Sequence, residues 1–168
     1  EFSISTERLI IRPWRMTDAE ALYKHASDST VSEMALWPRH TSVEMSRQVI
    51  ESVFQPNRHS FAIALKPDDE VIGCIGLVPQ GDEHHALQQS EREIGYWIGR
   101  RHWNKEITTE ALGALIDYCR DNLRLSSLLI TADERNIASQ RVAEKCGFNL
   151  IDRYSLDGIP SIAFSISL

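Results

Sequence analysis

The run Arg92-Glu93-Ile94-Gly95-Tyr96-Trp97-Ile98-Gly99-Arg100-Arg101-His102-Trp103-Asn104-Lys105-Glu106-Ile107-Thr108-Thr109-Glu110-Ala111 decides how the rest of the chain is read. Its opening residues, 92–98, alternate as a strand does, residues 99–105 make a basic turn, and a helix starts at Glu106 and Ile107. A strand that stops in a turn and feeds straight into a helix leaves the first helical N–H groups without intrahelical partners, with the positive end of the helix dipole behind them. Such a terminus attracts anions. Arg100, Arg101 and Lys105 add three cations to that turn, in a chain whose formal net charge is -6. Charge alone leaves a solvated connector, its arginines in water, as a competing reading.

At 168 residues the chain is most simply one domain, 1–168, long enough to bury roughly 70% of its unfolded surface. Its hydrophobic share of 42% and charged share of 25% are ordinary globular values. A pI near 5.5 argues against nucleic acid as a bulk partner, because phosphate-backbone binding needs a net basic face. An acidic surface suits a cationic amine. Cys74, Cys119 and Cys146 are odd in number and set in apolar runs, which predicts buried free thiols in a reducing, cytoplasmic compartment rather than a disulfide frame or zinc site. No apolar run reaches membrane-span length, and no signal peptide is visible.

Outward from the central run, residues 8–14 predict a first strand ended by Pro13. Thr17-Asp18-Ala19-Glu20 has capping-box spacing and predicts a helix to about Ser27. A less regular segment holds Met34, Trp37 and Pro38. Thr41-Ser42-Val43-Glu44 repeats the capping spacing, and Met45, Val49, Ile50 and Val53 form a helical stripe expected in the core. Residues 60–66 and 71–78 predict antiparallel strands about the Pro67-Asp68-Asp69 turn. The polar interval 80–89 reads as a loop, and its His84-His85 pair lacks the further ligands a metal site needs; no metal is expected.

In the strand at 92–98, alternation sends Ile94, Tyr96 and Ile98 to one face and Glu93, Gly95 and Trp97 to the other. Ile107, Ala111, Leu115, Tyr118 and Cys119 then recur at helical spacing to about Asn122. Residues 127–132 are an unbroken apolar strand of the kind that lies beside another strand under helical cover. In Asn136-Ile137-Ala138-Ser139-Gln140-Arg141-Val142-Ala143-Glu144-Lys145-Cys146-Gly147-Phe148, Asn136 suits a helix N-cap. Gly147 suits the left-handed residue past the helix end, with Phe148 folding back as its apolar contact. Two closing strands flank the Leu156-Asp157-Gly158 turn. The order is strand, two helices, three strands, helix, strand, helix, two strands, an α+β domain with a mixed sheet.

Ile94-Gly95-Tyr96-Trp97-Ile98-Gly99, Trp103 and Thr109-Glu110-Ala111 resemble the acetyl-CoA-binding segment of the GCN5-related N-acetyltransferase (GNAT) superfamily, in the RimJ/RimL branch of ribosomal-protein N-terminal acetyltransferases. Asn136, Ser139 and the run Glu144-Lys145-Cys146-Gly147-Phe148 resemble the pattern Asn-x-x-Ser...Glu-Lys-x-Gly-Phe of the same family. The opening Thr6-Glu7-Arg8-Leu9 with Arg12 and Asp18-Ala19-Glu20 extends the likeness to the N-terminal part. The resemblance implies a GNAT-like, mostly antiparallel sheet with helices on both faces and two strands, at 92–98 and 127–132, splayed apart for acetyl-CoA.

It also implies that pantetheine pairs with backbone near Trp97 and Ile98, that Asn136 touches the pantetheine arm, and that the pyrophosphate rests on Arg101, Asn104, Lys105, Glu106, Ile107 and Thr108. The family's pyrophosphate motif is Gln/Arg-x-x-Gly-x-Gly/Ala. Here Arg101 matches, and Asn104 and Glu106 replace both glycines, which predicts weaker cosubstrate binding. Acetyl transfer to an amine needs a base, an oxyanion donor and an acid for the departing thiolate. Glu93, placed opposite the core face, is the candidate base, directly or through water. A backbone N–H near Trp97 is the candidate oxyanion donor, and Ser139, implied to lie near the thioester sulfur, the candidate acid. Competing readings are a solvent-facing strand carboxylate for Glu93 and an exposed helical hydroxyl for Ser139. The acceptor is expected to be a primary amine, at a protein N-terminus or on a small molecule, and the assembly a monomer or homodimer. The altered turn also admits an alternative, a weak or inactive GNAT-fold sensing or interaction module.

Overall fold

Leu9 and Ile11 leave no surface to water while Arg12, between Ile11 and Pro13, is also buried, so the first long strand is closed on both faces from its start. The computed structural model describes residues 2–168. Its strands are β1 (Ile4–Ser5), β2 (Leu9–Pro13), β3 (Ser60–Leu65), β4 (Glu70–Leu77), β5 (Glu91–Ile98), β6 (Ser127–Asp133), β7 (Asn149–Leu156) and β8 (Ile159–Ser167). Its helices are α1 (Ala19–Ala26), α2 (Ser29–Ala35), α3 (Val43–Val49), α4 (Ile107–Asp121) and α5 (Ile137–Lys145). The strands hydrogen-bond in the order β1-β2-β3-β4-β5-β6-β8-β7, a mixed, mostly antiparallel sheet in which β5 and β6 run parallel. No helix among the described residues is long and apolar enough to cross a membrane.

The residues group into two compact units, one running through Gly76 and taking in Tyr96–Ala111, the other Leu77–Gly95 with Leu112–Leu168. In the first, Trp14, Leu22, Ala26, Ile50, Ala62, Ala64 and Val71 form a core against which Trp37, Phe54 and Trp97 pack. Each large apolar side chain so removed from water contributes about 1.5–3 kcal/mol. Arg12 is 3% exposed and is neutralised from two sides: Nη1 and Nη2 donate to Asp18 at 2.9 and 3.0 Å, and Nε and Nη2 donate to Asp69 at 3.0 and 3.1 Å. Asp18 also accepts the Arg15 N–H at 2.8 Å. The carboxylate that starts the helical segment is therefore Asp18, where the spacing predicts a Thr17-to-Glu20 box.

Three further expectations are corrected in this unit. Residues 29–35 form a helix, α2, capped by Asp28 accepting from the Thr30 N–H, where the composition suggests irregular chain. Ser42 rather than Thr41 caps α3, accepting the Met45 N–H at 3.0 Å. Past Val49 the helix widens into a π turn at Ile50–Phe54, which rotates Val53 out of the stripe and leaves it 55% exposed.

In the second unit Leu112, Leu115, Ile116, Cys119, Leu128, Leu129, Ile130, Phe148 and Phe164 are buried. Asn136 caps α5 through its side-chain oxygen on the Ser139 N–H at 3.1 Å. Gly147 takes φ 93° past the helix end, and the Phe148 N–H returns to the Ala143 carbonyl, the arrangement the Cys-Gly-Phe spacing predicts. Cys74, Cys119 and Cys146 are all free thiols, and burial pushes Cys74 up to about 11 and Cys119 up to about 12.

Candidate active site

The turn into α4 is built from the end of β5. The Gly99 N–H donates to the Ile72 carbonyl at 2.8 Å, a 3₁₀ turn follows at Arg100–His102, and the Trp103 indole N–H reaches back to the Ile98 carbonyl at 2.9 Å. The chain then takes φ 61° at Asn104 and again φ 61° at Glu106 before the helix starts. These are the two positions at which the pyrophosphate motif quoted above carries glycine. The left-handed backbone that glycine would adopt freely is therefore kept without it. Asn tolerates that region; for Glu it costs about 1–2 kcal/mol. Asn104, Lys105 and Glu106 are exposed, as is Arg101, while Ile107 is 4% exposed and anchors the first turn to the core. A 15-residue helix starting behind such a loop presents N–H groups and a positive dipole end to an anion.

The same turn is clasped from the link between β1 and β2. Glu110 accepts from the Thr6 hydroxyl at 2.5 Å, the Arg8 N–H at 2.9 Å and Arg8 Nε at 2.8 Å, while Arg8 Nη1 donates to the Lys105 carbonyl at 2.9 Å. Burial works to raise the Glu110 pKa, but these donors outweigh it and hold the carboxyl below its ordinary value. Trp97 lies edge-on to Trp37 with ring centroids 5.3 Å apart. Trp37, at the end of the stretch that reads as less regular, is thus a partly buried packing residue.

Strand β5 pairs in parallel with β6 from Glu91 opposite Ser127 to Ile94 opposite Ile130, and the register ends there, although β5 continues to Ile98 and β6 to Asp133.

Glu93 is not the solvent-facing carboxylate of the competing reading. It is 2% exposed, because both faces of β5 are covered at this point. Both of its oxygens are occupied: one accepts the His84 N–H at 2.8 Å, the other contacts His84 Nδ1 at 2.7 Å and accepts from the Thr131 hydroxyl at 2.9 Å. The hydrogen bond to Glu93 raises the His84 pKa above its ordinary value, with burial opposing it. The Tyr154 hydroxyl donates to the His84 carbonyl at 2.7 Å and completes the cluster. Burial and the nearby Glu93 charge push that phenol up. His85 turns elsewhere, with Nε2 on Asp152 at 2.9 Å, so the two adjacent histidines serve separate carboxylates.

The structure places Trp97, Ile98, Arg101, Asn104, Lys105, Glu106, Ile107 and Thr108 in the first unit and Glu93, Asn136 and Ser139 in the second. Ser139 is half-buried in the first turn of α5, beside its cap. His84, Thr131, Tyr154 and Glu110 join these sites without having been singled out. His84 was visible as one of a pair in a polar loop, but no local spacing ties it to Glu93 nine residues on, or Glu110 to Thr6 across 104 positions.

A family model described as "Acetyltransferase (GNAT) domain" matches residues 8–149. "Uncharacterized N-acetyltransferase p20" of Bacillus licheniformis is 30% identical over 150 residues, which cover 87% of this chain and 82% of that protein. The structure of a GNAT-family acetyltransferase from Bacillus anthracis superposes with a TM-score of 0.83 at 22% identity, covering 99% of this chain and 98% of the other. RimL, a ribosomal-protein alpha-N-acetyltransferase solved in complex with coenzyme A, superposes with a TM-score of 0.79 at 18% identity, covering 99% and 98%. The chain belongs to the GNAT acetyltransferases, and it is an acetyl-CoA-dependent N-acetyltransferase, as the motifs around Gly95 and Asn136 imply.

Proposed function

We propose that the whole chain acts as one acetyltransferase domain, in a reducing cytoplasmic compartment, moving an acetyl group from acetyl-CoA directly to a primary amine. The observation that carries the reading is the pair of left-handed residues, Asn104 and Glu106, ahead of α4. They keep a phosphate-binding backbone path where the side chains have diverged. The inactive-module alternative rests on the lost glycines, and the left-handed backbone at both positions supports the active reading over it.

In this reading Arg101, Lys105 and the amides of residues 104–108 hold the pyrophosphate, and backbone of β5 beyond Ile94, at Trp97 and Ile98, receives the pantetheine. Asn136, whose side-chain oxygen accepts the Ser139 N–H, is the residue assigned to the pantetheine arm. Acetyl-CoA supplies the activated acyl group. Glu93, saturated with hydrogen bonds, acts through His84: the carboxylate holds Nδ1–H, so Nε2 is the nitrogen that accepts the proton of the amine. Ser139 is the acid that meets the departing sulfur. The acceptor we favour is a protein N-terminal amine, since RimL shares this fold and acts on a ribosomal protein.

Thiol release from acetyl-CoA, measured against N-terminal peptides and small-molecule amines, tests the reading. Amine-dependent release with peptides preferred is the expected result. Release no faster with any amine than with water overturns it.

A further inference from the structure

His25 on α1, Glu70 at the start of β4 and His102 in the turn before α4 are 45 and 32 residues apart in sequence, yet one ligand atom from each lies within 4.8 Å of the other two. His25 is 5% exposed, and its Nε2 has no hydrogen-bond partner among the described residues; the same is true of the buried Nε2 of His102. An imidazole nitrogen buried without a partner forfeits its hydrogen bonds to water. Two such nitrogens side by side are a standing cost unless something binds them. The rings stand edge to face with centroids 5.8 Å apart, so neither stacks over the other and their edges stay available.

The His25 ring is held in place by backbone. A Cβ on Gly99 would fall 2.2 Å from His25 Nδ1, so the ring sits in the room that the missing side chain leaves. Gly99 is itself fixed, its N–H on the Ile72 carbonyl and its carbonyl accepting the His102 N–H at 2.9 Å. One strand end thus positions both histidines. Glu70 is the adjustable member: it is exposed and its present partner is the half-exposed Lys24 at 3.7 Å, an ion pair weak enough to be exchanged. A cavity of about 360 Å³ lined by Lys24, His25, Asp28, Arg100 and Arg101 opens beside the cluster and offers a path from solvent.

We propose that His25, Glu70 and His102 bind a divalent metal ion of the zinc type. Two imidazoles and one carboxylate suit zinc, cobalt or nickel and not magnesium or calcium, which take oxygen ligands. Tetrahedral bonds of roughly 2.0–2.2 Å put ligand atoms about 3.3 Å apart, so the three close in by at most about 1.5 Å, a shift the exposed Glu70 can supply. Three protein ligands leave a fourth position for water. The ion cross-links α1, β4 and the Arg100–His102 turn, which leads into the phosphate loop.

Tag-free protein titrated with Co²⁺, without acetyl-CoA, should bind one equivalent with the visible absorption of four-coordinate cobalt, and Zn²⁺ should displace it. Glu70→Gln and His102→Gln should each weaken binding at least about tenfold, while His85→Gln leaves it unchanged. Glu70 is exposed, so its variant keeps the fold and isolates the ligand effect; melting curves check the His102 variant. No stoichiometric uptake by the unaltered protein, or equal affinity in both ligand variants, overturns the proposal, as does loss of binding in His85→Gln.

Discussion

Glu106 pays a conformational cost that glycine would not, and the position makes that cost measurable. With φ at 61° the substitution Glu106→Gly removes left-handed strain of about 1–2 kcal/mol. It also loosens the unfolded chain, an opposing effect of about 0.4–1 kcal/mol. We expect a net gain of up to about 1.6 kcal/mol in urea unfolding, and tighter acetyl-CoA binding by calorimetry. A carboxylate about 5 Å from a phosphate charge costs roughly 3 kcal/mol at an effective dielectric near 20, so the affinity gain can reach about a hundredfold. Unchanged or weaker affinity would remove Glu106 from the phosphate loop. His84 gives a second residue-level prediction. Its pKa is raised by Glu93, with Asp82 and Glu83 adding to the effect and Tyr154 packed alongside. The base must be neutral, so the rate should rise with pH through that raised value. Glu93→Gln should lower kcat/KM by about 10²–10⁴ and move the acid limb to lower pH, because His84 loses the carboxylate that holds its proton. For folding the sign is opposite: the bond to Glu93 stabilises fully below the unfolded value near 6.5 and is lost as pH rises through the folded one. A kcat/KM profile identical to that of the unaltered enzyme would clear Glu93 and His84 of any role in proton transfer.

The first turn of helix α4 carries two roles. It presents amides outward, and Glu110, in that turn, is gripped by Thr6 and Arg8 from the link between β1 and β2. Glu110→Gln keeps the size and weakens three charge-assisted hydrogen bonds, so we expect a loss of about 1–3 kcal/mol in chemical denaturation. The Glu110 carboxyl is held below its ordinary pKa, so the stability it contributes is present above that ordinary value and drains away as pH falls through the depressed one. The difference between the unaltered protein and Glu110→Gln should therefore shrink in acid. A difference that stays constant from neutral pH down to the acid transition would mean the clasp is not electrostatic. Helix α5 shows how far local signals reach. Asn136 and Gly147 bound it as read from their types, because capping and a left-handed stop are decided within a few residues. Strand β5 shows the limit, since alternation assigns Glu93 a face but cannot tell whether that face is covered.

At the scale of the whole chain, a ligand that binds only the folded form stabilises all of it. Acetyl-CoA at a hundred times its dissociation constant adds about 2.7 kcal/mol. For a chain of this length that is a rise in melting temperature of about 5–10 °C, and differential scanning fluorimetry would show it. Glu106→Gly should show a larger rise at the same concentration, and no shift at millimolar acetyl-CoA would deny the proposed site. The order of elements, the caps of α5 and the loop that precedes α4 were legible because each is written in neighbouring residues: hydrophobic period, Asn and Gly at helix ends, and cations in a strand-to-helix turn. Helix α2 was not, since Ser29-Thr30-Val31-Ser32 carries little helical propensity and is held by its Asp28 cap and by the Arg100 ion pair to that cap, 72 positions away. The burial of Glu93 and its bond to His84, the grip on Glu110, and the meeting of His25, Glu70 and His102 were likewise beyond reading from the order of residues. Those contacts join positions that short-range pattern cannot relate, and they exist only once sheet register and helix packing have brought them within a few ångströms.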